Sequence, residues 1–229
     1  MISDFSPLLI SLKTSLGATL ITIIIGVPAA WIVASYNVRF KGLLDSILTL
    51  PMILPPTVAG FFLLVLLGKR GVVGRLLERM DISVIFTWQA AMIAAAVVAF
   101  PLMYKTARSA FEQIDRNVLD AARLLGASEW KVFLRVAVPM AWPGIAAGVL
   151  LSFARALGEF GATMMVAGNI PGRTQTMPLA IFFAAESGDL KQAYAWVILI
   201  FAISLAMMAL MNYWNEYQKR LVSSEGRRN

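Results

Sequence analysis

The side chains able to do chemistry in this sequence are few, and their types narrow the options at once. There is no histidine and no cysteine among its 229 residues. That removes thiolate nucleophiles, disulfides, haem axial ligands and nearly every zinc site, so no metal site is expected. Arg155 and Glu159 stand four apart. On a helix they share a face and can pair, which lowers the cost of holding either charge in an apolar setting. The pair reads either as a functional element at membrane depth or as a structural salt bridge near the interface. It forms no nucleophile–base constellation, so no catalytic residue is assigned and an intramembrane enzyme is disfavoured. Lys69 follows Gly68, but an arginine comes next and the upstream glycine is missing. No G-x-x-x-x-G-K-S/T occurs anywhere, so the chain does not bind ATP through a phosphate loop of its own. Lys69, Arg70, Arg75 and Arg79 form a basic cluster that either concentrates anions, seats an acidic partner or is a solvated loop.

The elements that must carry these residues are membrane spans. The chain is 59% hydrophobic and only 14% charged, well away from the balance of soluble domains. Its formal charge of +7 is therefore read as membrane topology, and no nucleic acid is expected as a partner. Charge-free windows at 14–38, 46–68, 82–104, 136–154 and 192–215 are each long enough to cross the lipid hydrocarbon as a helix. Five transmembrane helices in a single domain, 1–229, are expected, of the all-α integral membrane class. The 160–172 stretch is too short and too rich in glycine to span. It reads as re-entrant or irregular, or as the far end of a helix begun at the fourth span. With the amino terminus outside and the carboxyl terminus inside, the inner segments hold Arg39, Lys41, the six bases between Lys105 and Arg135, and Lys219, Arg220, Arg227 and Arg228. That is twelve of the 20 basic residues, which favours this orientation. Trp31, Trp88 and Trp214 fall near expected span ends, either as interfacial anchors or as ordinary packing.

Two features interrupt the spans. Pro51, Pro55 and Pro56 in the second window each remove a backbone donor and clash with the preceding turn, so that span must kink or break. A break in lipid is tolerated only where protein or water satisfies the freed carbonyls, and such breaks often flank a substrate path. Gly144 and Gly148, with the alanines at 90, 91, 94, 95 and 99, allow close helix packing within a bundle or across a dimer.

The longest polar stretch, 105–135, lies between the third and fourth spans. Val118, Leu119, Ala122 and Leu125 recur at helical spacing, with Asp115 as a start signal and Gly126 as a stop. Ser128 can cap a second helix that runs through Val132 and Phe133 toward the membrane. Two short helices broken at a glycine make an amphipathic knob suited to a partner's groove. Asp120-Ala121-Ala122 with Gly126 and the later Val138-Pro139 resembles the EAA loop of permease subunits of bacterial ABC importers. Asp120 stands where glutamate is usual and Val138 where leucine is usual.

Leu50-Pro-Met-Ile-Leu-Pro-Pro-Thr-Val-Ala-Gly60, Gly68-Lys-Arg-Gly-Val-Val-Gly74, Phe153-Ala-Arg-Ala-Leu-Gly-Glu-Phe-Gly-Ala-Thr163 and Gly168-Asn-Ile-Pro-Gly172 narrow the resemblance to the molybdate permease family. The third and fourth of these are shared with sulfate and thiosulfate permeases. The first two tip the choice.

The resemblance implies a MetI-like fold, a homodimer in the bacterial cytoplasmic (inner) membrane, two cytoplasmic ABC ATPase subunits carrying ATP-Mg, and an extracytoplasmic molybdate-binding protein. No cofactor is expected on this chain. Asp120, Ala121, Ala122, Gly126, Phe133 and Pro139 are the implied ATPase-coupling residues. Pro51, Pro55, Pro56, Arg155, Glu159, Gly161 and Thr163 are the candidates for gate and translocation path. Tungstate is an alternative cargo, sulfate or thiosulfate import the alternative function, and a secondary anion carrier the remote one.

Overall fold

A computed structural model describes residues 4–35 and 40–225, with 214–225 as backbone only. Residues 36–38 of the first expected span, Arg39, Arg227 and Arg228 lie outside the described residues, as do the side chains of Trp214, Lys219 and Arg220. Every regular element among the described residues is a helix.

Helix α1 (Ser6–Ser35) is the first span. Asp4 starts it, accepting from the Ser6 amide at 2.8 Å. Ser11, Thr14, Ser15, Thr19 and Thr22 are buried along it. Thr14, Ser15, Thr19 and Thr22 return their hydroxyl protons to carbonyls of the preceding turn, which lets polar groups face a dry interior at little cost. Helix α2 (Lys41–Ile53) contains Pro51, and α3 (Pro56–Leu67) begins on Pro56. The two meet at 109°. Proline at the first helical position loses no hydrogen bond, so the chain restarts at Pro56 in a new direction. A short α4 (Val72–Glu78) follows.

Helix α5 (Trp88–Glu112) is the centre of the bundle, lying against α1 on one side. Its start is fixed by Thr87, whose hydroxyl accepts from the Ala90 amide. The 82–104 window therefore sits off the helix at both ends. Residues 82–87 lead in without helix, irregular and then turning at 85–87, and residues 105–112, expected in the polar loop, complete the helix. They stay helical because their charges find partners: Arg108 pairs with Glu112 one turn on and with Asp45 of α2, while Lys41 reaches Glu112 at 3.6 Å. Helix α6 (Arg116–Leu124) is followed by α7 (Glu129–Val132), a π-helical turn (Phe133–Ala137) and α8 (Val138–Leu157), which run on as one 29-residue rod. The fourth span thus starts seven residues before the charge-free window, at Glu129. Gly144 and Gly148 face Ala110, Thr106 and Met103 of α5, so their close packing is within the chain.

Beyond Gly158 the chain turns into α9 (Gly161–Ala167), a separate helix rather than the end of α8. Then come α10 (Met177–Glu186), which the charge pattern did not predict, and α11 (Leu190–Glu225). Ser11 ties α10 to α1, its hydroxyl accepting from the Met177 amide at 2.8 Å. Among the described residues four helices are long and apolar enough to cross a membrane, and the bent α2–α3 pair brings the number to five when it is counted as one broken span.

α3 and α9 touch backbone to backbone. A Cβ at Gly60 would lie 2.8 Å from the Ala162 Cα and 2.8 Å from the Met165 Cβ. Neither can swing away. Gly60→Ala is expected to destabilise the protein by about 1–3 kcal/mol through overpacking, read as a lower unfolding midpoint in detergent. An unchanged midpoint would mean α3 and α9 are free to slide apart.

Candidate coupling knob and membrane break

The knob is built from its turn outward. Asp115 caps α6 by accepting from the Asn117 amide at 2.9 Å. Gly126 takes φ +81°, a conformation glycine reaches at no steric cost, and closes α6 by donating to the Arg123 carbonyl at 2.9 Å. Ser128 begins α7 through its backbone, its hydroxyl making no capping bond. Arg123 then locks the two helices together. It donates to Asp120 Oδ1 at 2.8 Å and forks onto Glu129, Nε to Oε1 at 2.8 Å and Nη2 to Oε2 at 3.2 Å. The Glu129 and Asp120 hydrogen bonds push the Arg123 guanidinium further above its already high pKa, so it stays charged at any working pH. The acidic residue of the EAA-like motif is thus an internal brace.

The inward face joins the bundle. Leu119, Val132 and Phe133 are buried with Trp31, Phe111 and Ile114, the Trp31 ring lying 5.3 Å from Phe111 and 5.8 Å from Phe133 between centroids. Phe133, one of the implied coupling-loop residues, is a core residue of the knob. Ala122 packs against the same cluster, while Ala121 and Pro139 are exposed. The knob's exposed surface includes an apolar pair at its turn: Leu124 and Leu125 are each 89% exposed, and Val118 and Trp130 elsewhere on the knob are also exposed.

At the break, Glu159 is 2% exposed. Its Oε1 accepts from the Ala162 amide at 2.8 Å, in the first turn of α9. Its Oε2 stands 2.8 Å from Arg155 Nη1, an ion pair not aligned as a hydrogen bond. Arg155 keeps a third of its side chain exposed. The pair therefore clasps the bend between α8 and α9. Gly161 lies against α3, where a Cβ would come 3.2 Å from the Pro56 Cβ and 3.3 Å from Thr57. Thr163 is buried two residues further along α9. So Pro56 and Gly161 meet at the α3–α9 contact, and the Arg155–Glu159 pair fastens α9 to α8 beside it. Pro55 is exposed at the elbow. Pro51 lies apart, lining an apolar hollow of about 370 Å³ with Ile21, Ile47 and Phe100.

One network escaped the sequence. Tyr104 donates to Asp45 at 3.0 Å, and Asp45 also holds Arg108. These partners are 59 and 63 residues apart, and no local pattern announces them. No cluster of carboxylates with metal-binding geometry occurs among the described residues.

The family described as the inner membrane component of binding-protein-dependent transport systems matches residues 22–223. The chain belongs to that family. Its curated relatives include the molybdenum transport system permease ModB of Escherichia coli, 42% identical over 91% of each chain, and ModB of Haemophilus influenzae, 38% identical over the same shares. The sulfate transport permease CysT of Escherichia coli is 35% identical over 89% of this permease and 73% of its own length. Among solved structures, the permease shares its fold with a chain of the MetNI methionine ABC transporter in an inward-facing form. The TM-score is 0.66 at 16% identity, covering 91% of this permease and 94% of that chain. A chain of an alginate-importing ABC transporter matches at TM-score 0.62 and 17% identity, over 93% and 79%. The permease is a multi-pass inner-membrane protein, a transport subunit rather than an enzyme, and members of its family work with a separate ATPase and a binding protein.

Proposed function

We propose that this permease is the membrane subunit of an ATP-driven molybdate importer, with tungstate as a second cargo. It acts as a homodimer, amino termini outside and carboxyl termini inside. Each copy rests the Leu124–Leu125 face of its knob in a groove of one cytoplasmic ATPase subunit that binds ATP-Mg, and an extracytoplasmic molybdate-binding protein delivers the anion. The observation that carries the cargo is the 42% identity to a molybdenum permease across 91% of both chains.

The coupling reading is supported by the knob's construction. An exposed leucine pair is costly to leave in water and rewarding to bury, and the Arg123 brace makes the knob move as one body. Asp120, Gly126 and Phe133 shape it, while Ala121, Ala122 and Pro139 flank the surface. ATP-driven closure then displaces the knob, and the α7–α8 rod carries that displacement to the Arg155–Glu159 clasp, Gly161, Thr163 and the elbow at Pro55 and Pro56, with Pro51 within α2 before it. The ATPases, the binding protein and the anion are coupled only so far as each favours one of the two states.

The test is ATPase activity of the permease reconstituted with its ATPase and binding protein, under molybdate, tungstate and sulfate. Stimulation several-fold by the first two and none by sulfate is the expected result. Stimulation by sulfate alone would move the cargo to the branch of CysT, and no complex with an ATPase would end the importer reading.

A further inference from the structure

At the end of the bundle away from the knob lies a second charged hollow. α5 is 25 residues long, so its Trp88 end stands about 37 Å from its Glu112 end. The hollow there measures about 430 Å³ and is lined by Lys13 of α1, Thr87, Trp88 and Gln89 at the head of α5, and Gly172 and Arg173 of the turn before α10. No carboxylate lines it, and neither Lys13 nor Arg173 has an acidic partner among the described residues. Two other charged hollows supply their own counter-charge: Lys41, Arg116 and Arg123 share one with Glu112 and Asp120, and Lys69 shares another with Glu78 and Asp81. A third, lined by Lys69 and Arg70, has no carboxylate in its wall, but its Lys69 is paired with Glu78 at 3.7 Å.

The Lys13 ammonium and the backbone that carries Arg173 are held in place, and neither charge is neutralised by an acidic partner among the described residues. The Lys13 Nζ sits 3.7 Å above the centre of the Trp88 ring, an attraction that orients an ammonium and leaves its charge intact. Arg173 is carried on a braced turn. The amides of Arg173, Thr174 and Gln175 all donate to the Ile170 carbonyl, at 3.0, 2.9 and 3.2 Å. Fully buried Thr174 accepts from the Ile170 amide at 3.0 Å and donates to the Gly168 carbonyl at 3.3 Å. Ordering these groups beforehand removes part of the entropic cost of binding.

We propose that this hollow is a capture site for a tetrahedral oxyanion of charge −2, at the entrance end of the translocation path. The guanidinium fork of Arg173 matches two oxygens of such an anion, Lys13 adds a point charge, and the Gln89 amide has donors for a third oxygen. Both cations are exposed, so salt screens the site and its affinity is low, which suits a place that must pass its anion on. The choice of anion and of the entrance side rests on the importer reading above.

The test is equilibrium binding of radiolabelled molybdate to the full-length permease in phosphatidylcholine nanodiscs, without binding protein. Saturable binding is expected, weakened about tenfold by Lys13→Gln or Arg173→Gln, the scale of one lost charge-assisted contact. It should be lost in the double variant, partly kept in Arg173→Lys, and unchanged by Lys191→Gln at another exposed cation. Unfolding midpoints of the variants should match the wild type, and Arg173→Lys tests the site again should Arg173→Gln misfold. No saturable binding by the wild type, or binding indifferent to both substitutions, overturns the proposal. Normal binding in variants that no longer respond to loaded binding protein would make the hollow a docking point for that protein instead. Loss of binding on exchange to phosphatidylglycerol at constant ionic strength would assign it to a lipid headgroup. The importer reading is judged separately, by molybdate-stimulated ATPase activity of the wild type.

Discussion

Leu124→Asp together with Leu125→Asp is expected to leave the permease folded and to weaken its complex with the ATPase by at least about a hundredfold. Both side chains are 89% exposed, so replacing them costs the fold little; surface changes away from special features stay within about 0.5 kcal/mol. In the complex the balance reverses. Fully burying one leucine contributes about 1.5–3 kcal/mol, and an aspartate in its place must shed water with no partner arranged for it. Two such losses exceed the roughly 2.7 kcal/mol that a hundredfold change in affinity represents. The measurement is a titration of purified ATPase subunit onto permease nanodiscs, with the unfolding midpoint as control. Unchanged affinity at an unchanged midpoint would move the docking face to the Trp130 side of the knob.

The second large effect is an asymmetry. Arg155→Ala should cost more stability than Glu159→Gln, although each removes one half of the same ion pair. Losing Arg155 strands a carboxylate that is 98% out of water, and breaking a buried pair in this way costs about 3–5 kcal/mol. Arg155 is itself a third exposed, which places the loss at the lower end of that range. Glu159→Gln keeps an oxygen for the Ala162 amide and leaves a guanidinium that already reaches solvent, at about 1 kcal/mol. The double variant Arg155→Ala/Glu159→Gln should then recover most of the Arg155→Ala loss, a coupling that a double-mutant cycle on denaturant midpoints reads directly. Strict additivity would mean the two groups do not interact. Normal stability with lost transport in Glu159→Gln would make the pair a moving part instead of a clasp.

Which parts of this molecule were legible beforehand follows from what each signal measures. A charge-free window finds lipid-compatible backbone, so it located the middle of every long helix. It stopped at the first charge, and α5 does not: Lys105, Arg108 and Glu112 continue the helix, Arg108 and Glu112 because Lys41 and Asp45 of α2 meet them there. The prolines announced a break, but the 109° bend between α2 and α3 depends on α3 turning to lie on α9 through Gly60 and Gly161. Helical spacing gave the knob its Asp115 cap and its stop at Gly126, and the EAA-like motif begins between them. It did not show that Phe133 points inward, which depends on Trp31 of α1, or that Arg123 ties α6 to α7, which depends on Glu129; the motif contains neither partner. Helix α10 had a start signal in Thr176 followed by Pro178, but at ten residues it was too short for a span rule to register. Lys13 and Arg173 are 160 positions apart, and no reading along the chain brings them to one hollow.

The unbroken run from Glu129 to Leu157, 29 residues and so about 43 Å, sets how a push at one end is felt at the other. A stiff helix delivers displacement nearly whole, as a connecting rod does, and does not dissipate it in a hinge. The π-helical turn at Phe133–Ala137 inserts a residue just above the knob without interrupting that rod. Under the importer reading proposed above, stroke length is decided at the bottom of the rod and gating threshold at the top, so each can be retuned by substitution at its own end without rebuilding the other.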